Sequence, residues 1–237
     1  RRASSSVRAV VATVMFMPLL KFTAFPGFDN FFIYVYLFAV GMLGMAMSAV
    51  GSGNPLAGIG VMRALTQMVG YEVPFMIVVL AIINGHGTSS LSQLAAIQQQ
   101  SGILSWNLVK MPIGTIAAFI CLLGMLGKKP FETFIAPAEI ASGPMVEYGG
   151  KQLGMLMILH QFSIFIEVSL FMNLFLGGAA NPIGFVLKYM FVYVFASLIS
   201  QALGRFKIDQ VIKFFYKIPI ALAILQAIMV VYLGWGV

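Results

Sequence analysis

Charge is scarce in this sequence. Lys, Arg, Asp and Glu make up 9% of its 237 residues, against 60% hydrophobic, and the mean hydropathy is +0.98. A soluble domain keeps about a quarter of its residues charged, because water must solvate the shell around its core. No such shell is available here, which excludes an ordinary water-soluble enzyme. Cysteine is nearly absent: Cys121 stands alone inside an apolar run, so there is no disulfide framework and no Cys-based metal or iron–sulfur site. Two histidines, His86 and His160, are too few and too far apart for a protein-only zinc site. Acid is scarce relative to base, 7 residues against 14, giving a net charge of +7. The basic residues do not cluster as a nucleic-acid surface would, so no nucleic-acid partner is expected. Gly51-Ser52-Gly53 is not a phosphate loop, since no strand precedes it and no Gly-Lys-Ser/Thr follows.

What the sequence does have is long apolar runs, each close to the ~20 residues a helix needs to cross ~30 Å of hydrocarbon. Backbone groups in lipid must be bonded within their own element, so these runs are expected to be helices. The expected fold is an all-α, polytopic transmembrane bundle forming a single transmembrane domain over residues 1–237. Spans are predicted at Val7–Phe25, Phe31–Val50, Leu56–Ile83, Leu108–Leu126, Leu153–Leu176, Pro182–Leu203 and Ile218–Trp235. Gly, Pro and Asn mark most of the connections between them. The third run is long enough to tilt or to project from the bilayer. The chain opens on Arg1 rather than Met and is expected to lack a preceding segment. Arg1-Arg2 before an apolar run is not a secretion signal, because no small-residue cleavage site follows and six more spans do.

The cationic residues orient the bundle. Numbering the connections alternately, one side collects Arg1, Arg2, Arg8, Arg63, Lys128, Lys129, Lys151, Arg205, Lys207, Lys213 and Lys217; the other collects Lys21, Lys110 and Lys188. The first side is expected to face the cytoplasm, in the cell membrane. The outer connection from Gly85 to Asn107 holds a polar stretch, SSLSQLAAIQQQ, expected to be a short interfacial helix. The inner loop, residues 127–152, carries Glu132, Glu139 and Glu147, with Pro130, Pro137 and Pro144 forbidding one continuous helix. A long acidic loop at the membrane face suggests a docking or gating surface.

Ionisable residues within a span are costly and are functional candidates by default. Glu72 lies nine residues beyond Arg63, about 13 Å deeper and half a revolution round the helix. Gln67 does share the Arg63 face. Gly70 and Pro74 flank Glu72, and the proline removes one helical hydrogen bond, as a proton or ion site would need. The alternative is a carboxylate tied to a neighbouring helix for packing. On the fifth span His160 and Glu167 are seven apart, with Ser163 between them. A proton relay and a hydrogen-bonded structural pair are both open there. Asp209 has an ordinary reading as partner to Arg205 or Lys207, and the Phe, Tyr and Met stripes read as lipid-facing or packing residues.

Three stretches together resemble one family. RALTQMVGYEVP (Arg63–Pro74), including Gln67, Tyr71 and Glu72, has the Arg-Ala…Gln…Tyr-Glu pattern of the NuoH-like subunit of respiratory Complex I. KPFETFIAPAEIASGPMVEYGG (Lys129–Gly150), including Tyr148, is similar to that family's inner loop, and RFKIDQ (Arg205–Gln210) to its Arg-Phe-Arg-x-Asp-Gln signature before the last span. Order, spacing and membrane side agree. The family also includes subunits of membrane-bound [NiFe] hydrogenases and sulfur-reducing complexes, and normally has eight spans.

The resemblance implies a non-catalytic membrane subunit joining a cytoplasmic redox arm to ion-pumping subunits, with H⁺ or Na⁺ translocated and no cofactor of its own. It implies a [NiFe] centre and iron–sulfur clusters in partner subunits, cytoplasmic hydrogenase-like and iron–sulfur partners, antiporter-like membrane partners and the lipid bilayer. Arg63, Gln67, Tyr71, Glu72, His160 and Glu167 are the expected ion path. Glu132, Glu139, Glu147, Tyr148, Arg205 and Asp209 are the expected contacts to the arm. Quinone-reducing members carry two further loop carboxylates where this chain has Ile135 and Pro137, which favours the hydrogenase and sulfur-reducing branch over a quinone-site subunit. A self-sufficient transporter is the other alternative, but no repeated halves with matching broken helices are visible. A structural anchor alone is the third.

Overall fold

A computed structural model of the chain describes residues 29–100, 102–134 and 136–234. The predicted span Val7–Phe25, the cations before residue 29, and Ile135 lie outside these residues. Among those described there is helix and no strand.

The first helix, α1, occupies Phe31–Val50, the predicted boundaries to the residue. Asn30 caps it, its side-chain oxygen accepting the Phe32 N–H at 3.1 Å. α2 follows at Pro55–His86, with Asn54 capping the Leu56 N–H at 2.8 Å and Pro55 at the first turn, where its missing N–H costs nothing. It ends at Gly87, whose φ of 67° is the left-handed turn glycine tolerates best. At 32 residues, about 48 Å, α2 is longer than a bilayer core and must tilt or project. Pro74 lies inside it without interrupting the helical assignment.

Between α2 and the next span the structure places α3 (Leu91–Gln99), a 3₁₀ turn (Gly102–Ser105) and α4 (Asn107–Lys110). The polar stretch, expected to be a bland interfacial helix, does more than that. Leu91, Leu94 and Gln98 of α3 are buried, and the helix packs across the end of a later span. The fourth predicted span, Leu108–Leu126, is not one helix: Met111 (φ −127°, ψ 62°) breaks it into α4 and α5 (Pro112–Met125). The cause is Pro112, which disfavours helical geometry in the residue before it.

The loop in which the prolines forbid one continuous helix holds α6 (Pro137–Ile140) and a 3₁₀ turn at Gly143–Met145. Then come α7 (Gly150–Phe175), α8 (Pro182–Ala202) and α9 (Ile208–Leu233). The last begins ten residues before its predicted start at Ile218. Gln210 accepts the Lys207 N–H at 3.1 Å and fixes the first turn, and Lys213 and Lys217 project outward from the helix surface rather than ending it.

Among the described residues, four helices, α2, α7, α8 and α9, are long and apolar enough to cross a membrane. α1 has 20 residues with no charged side chain, and α5 is a shorter apolar helix of 14. The protein is therefore membrane-embedded and multi-pass. Its centre is the triple contact of α2, α5 and α9, with α7 against α5 and α8 against α7. Close approach at that centre depends on small residues, as in other membrane bundles. A Cβ on Gly124 of α5 would lie 2.7 Å from Phe215 Cζ and 3.1 Å from Tyr71 Cδ1.

Candidate functional site

Two carboxylates from different helices meet at one cavity. Glu72 of α2 and Glu167 of α7 line a space of about 40 Å³ with Tyr34, Tyr71, Phe75 and Leu170. It is large enough for about two to four water molecules, with a wall that is almost wholly apolar. Glu167 is 5% exposed, and its Oε2 has no hydrogen-bond partner among the described residues. Glu72 is half-buried. Charging a carboxyl here is costly unless a cation or water arrives with it. A buried carboxylate beside such a space is a candidate proton or cation site. In the sequence Tyr34 looks like one more packing residue; nothing in its helix marks it, because only the approach of α1 to α2 brings it to the cavity.

The neighbouring candidates do different work. Gln67, 2% exposed, donates from Nε2 to the Gly124 carbonyl at 2.8 Å and accepts from the Thr133 hydroxyl. It thus ties α2 to the end of α5 and to the loop. Tyr71 packs edge-on against Phe215, ring centroids 6.3 Å apart. His160 stands edge-on to Phe134, 6.2 Å between rings. Its distance from Glu167 is about 10 Å along α7, too far for a direct bond, and Ser163 donates to the Leu159 carbonyl at 3.2 Å.

A second constellation lies at the loop-bearing end. Glu139 accepts from Arg63 Nη1 at 2.6 Å and from Arg205 Nη2 at 2.5 Å. Arg63 thereby belongs to the loop contact rather than to the Glu72 cavity. The hydrogen bond from Arg63, with the charge of both guanidiniums, holds the Glu139 carboxyl below the usual carboxylate range against an opposing desolvation. Arg205 and Lys207 were candidate partners for Asp209. The structure gives Arg205 to Glu139 instead, and leaves Asp209 exposed in the first turn of α9, where a negative charge suits the helix dipole.

The rest of the loop is fastened as firmly. Asn54 Nδ2 donates to Glu147 at 2.5 Å, and the Tyr148 hydroxyl donates to the Ser48 carbonyl at 2.6 Å. The Phe206 N–H donates to the Pro130 carbonyl at 2.9 Å, and Phe131 lies fully buried against Phe206, Phe214 and Phe215. Glu132 is separate, on the wall of a cleft of about 870 Å³ shared with Lys128, Lys129, Arg205 and the last turns of α8.

The far end is closed by a polar network that sequence reasoning did not find. Gln98 donates to the carbonyls of Asn173 and Leu174 at 3.2 Å each, and Asn107 Nδ2 to Leu174 at 2.8 Å. Lys188 Nζ reaches the carbonyls of Leu176 and Gly178 at 2.7 and 2.8 Å while lying 4.2 Å above the Trp106 ring. These side chains satisfy carbonyls that the end of α7 would otherwise leave unpaired. Among the described residues, no three of His, Cys, Asp and Glu converge on a metal-sized site.

A family model described as NADH dehydrogenase matches residues 4–231. The H subunit of the F(420)H(2) dehydrogenase from Methanosarcina acetivorans is 32% identical over 211 residues, 83% of this chain and 60% of that protein. The H subunit of the NADH-quinone oxidoreductase from Flavobacterium psychrophilum is 29% identical over 219 residues, 84% of this chain and 63% of that one. The chain thus spans about 60% of the length of these relatives. A chain in the structure of the membrane-bound sulfane sulfur reductase, an archaeal respiratory membrane complex, superposes with a TM-score of 0.89 at 36% identity, covering 96% of this chain and 78% of that one. Matched along nearly its whole length, and sharing fold as well as sequence with these relatives, the chain belongs to the NADH dehydrogenase family, that of the NuoH-like membrane subunits.

Proposed function

We propose that this chain is the membrane junction subunit of a redox-driven ion-pumping complex of the hydrogenase or sulfur-reductase type. It sits in the cytoplasmic membrane and couples electron transfer in a soluble arm to movement of H⁺ or Na⁺. The observation that carries this reading is the shared cavity of Glu72 and Glu167, where one buried carboxylate oxygen has no hydrogen-bond partner among the described residues. A carboxylate buried for packing alone would have both oxygens bonded, and Glu167 Oε2 has no partner among the described residues. The [NiFe] centre and iron–sulfur clusters belong to soluble partners, and antiporter-like subunits extend the path sideways in the membrane. The fastened loop, with Glu139 between Arg63 and Arg205, supports a rigid landing surface for the arm. The 36% identity to a chain of a sulfane sulfur reductase complex supports that branch. So does the presence of Ile135 and Pro137 where quinone-reducing members have acids.

The test is Glu72→Gln and Glu167→Gln in the native assembly, reconstituted into sealed vesicles. Normal subunit composition with loss of ion movement per electron is the expected result. Unchanged ion movement in both variants would overturn the assignment of the cavity, and purification of the chain without redox partners would overturn the junction reading itself.

A further inference from the structure

The cleft beside α8 shares no lining residue with the Glu72–Glu167 cavity, and its lining is chemically specific. Three cations, Lys128, Lys129 and Arg205, face it with one acid, Glu132, and the hydroxyl and amide groups of Ser197, Ser200 and Gln201 complete the wall. Lys128 is already positioned, its Nζ donating to the Ser197 hydroxyl at 2.5 Å and lying 3.7 Å above the Tyr193 ring. Lys129 is exposed and makes no side-chain hydrogen bond or ion pair among the described residues. Arg205 commits one guanidinium nitrogen to Glu139, leaving further donors uncommitted. Immediately beside Ser197 and Gln201, α8 carries an exposed apolar ridge at four-residue spacing: Val186, Met190, Val194 and Leu198.

We infer that this cleft seats the phosphate of an anionic glycerophospholipid, with its acyl chains laid along the Val186–Leu198 ridge. The excess of cations selects a negative headgroup, since each basic side chain at a membrane surface favours anionic lipid. The hydroxyl and amide groups supply donors for phosphate and glycerol oxygens. The ridge decides between a lipid and an acidic segment of a protein partner. It is an exposed apolar stripe on a helix long and apolar enough to span a membrane, running along α8 from the residue next to Ser197, and a polypeptide held by charge alone would leave it uncovered. A lipid satisfies both halves at once. The inference is independent of the Glu72–Glu167 reading and stands if that reading fails.

The test uses the purified membrane assembly, delipidated in detergent and offered equimolar phosphatidylglycerol and phosphatidylcholine, with bound lipid read by native mass spectrometry. Phosphatidylglycerol should be retained over phosphatidylcholine by on the order of tenfold. Lys128→Gln with Lys129→Gln should abolish the preference with subunit composition unchanged, whereas Lys128→Arg with Lys129→Arg should keep it. Equal retention of the two lipids, or a preference that survives the double Gln variant, would overturn the proposal. Displacement of the lipid by millimolar inorganic phosphate would identify a free-anion site instead. Loss of a soluble subunit from the Gln variant with lipid retention intact would identify a protein partner. Should the Gln variant fail to assemble, the wild-type preference decides. It must fall as salt rises, and persistence at high salt refutes a charge-selected headgroup.

Discussion

Gly58 and Gly60 lie two residues apart on α2 in opposite circumstances, so one substitution at each isolates the docking of the loop. A Cβ on Gly58 meets nothing within 4 Å. A Cβ on Gly60 would lie 2.7 Å from Pro144 Cδ, 3.1 Å from Gly143 Cα and 3.2 Å from the Phe134 carbonyl oxygen. All three are backbone or ring atoms that cannot rotate away. Gly→Ala in a helix interior gains about 0.5–1 kcal/mol of helical propensity at either position. Gly60→Ala adds an overpacking cost of about 1–3 kcal/mol, which Gly58→Ala escapes. Propensity cancels between the two variants, so their difference is the clash alone. For a chain of this size ~1 kcal/mol moves Tm by roughly 2–4 °C, so the two should melt about 2–12 °C apart, Gly58→Ala the higher. Thermal melts of the purified assembly measure the gap, and hydrogen exchange over residues 133–148 locates it. Equal melting temperatures with unchanged exchange in the loop would show that α2 and the Pro144 turn do not make the contact described.

Glu139 gives a pH-dependent readout. Its folded-state carboxyl titrates below its ordinary value of 4.5, so the latch to Arg63 and Arg205 contributes fully above that pH and is lost as pH falls through the lowered value. Protease access to the loop should rise on acidification below about 4.5, and Glu139→Gln should be loose already at neutral pH; a pH-independent wild type would contradict this. Gln67→Leu strands the buried Thr133 hydroxyl and leaves the Gly124 carbonyl only its long bond from the Gly127 N–H at 3.2 Å, for an expected loss of about 1–3 kcal/mol seen as a lower Tm and reduced assembly. No loss would mean that the amide bridge is replaceable by packing.

The helices are largely legible in the sequence because lipid imposes a length and forbids open backbone. Phe31–Val50 shows this best: Asn30 and Gly51 bracket a charge-free run, and the helix fills it. The break at Met111 escapes a hydropathy reading because apolarity does not change across it, although Pro112 is a visible warning. The early start of α9 escapes for the converse reason: lysines read as loop, yet their long stems lie along a helix surface with the charge in water. In the site, Glu72 and Glu167 are each marked by the cost of charge within a span, but their meeting at one cavity follows from α2 and α7 each packing against α5. Arg63 is assigned to the ion path by its neighbours in sequence, whereas its partner Glu139 is 76 residues away. Spacing along one helix cannot reveal such a pair.

The bonded end of α7 has a mechanical consequence. Gln98, Asn107 and Lys188 pin the carbonyls around Leu174 and Leu176, while the other end starts at Gly150 beside the loop. A helix held at one end and displaced at the other would pivot about the held end. Glu167 sits about 10 Å from the pivot and Gly150 about 36 Å, so a displacement of ~1 Å at the loop would reach the carboxylate as about 0.3 Å. Such gearing would turn a coarse push at the surface into a fine adjustment beside a cavity of about 40 Å³.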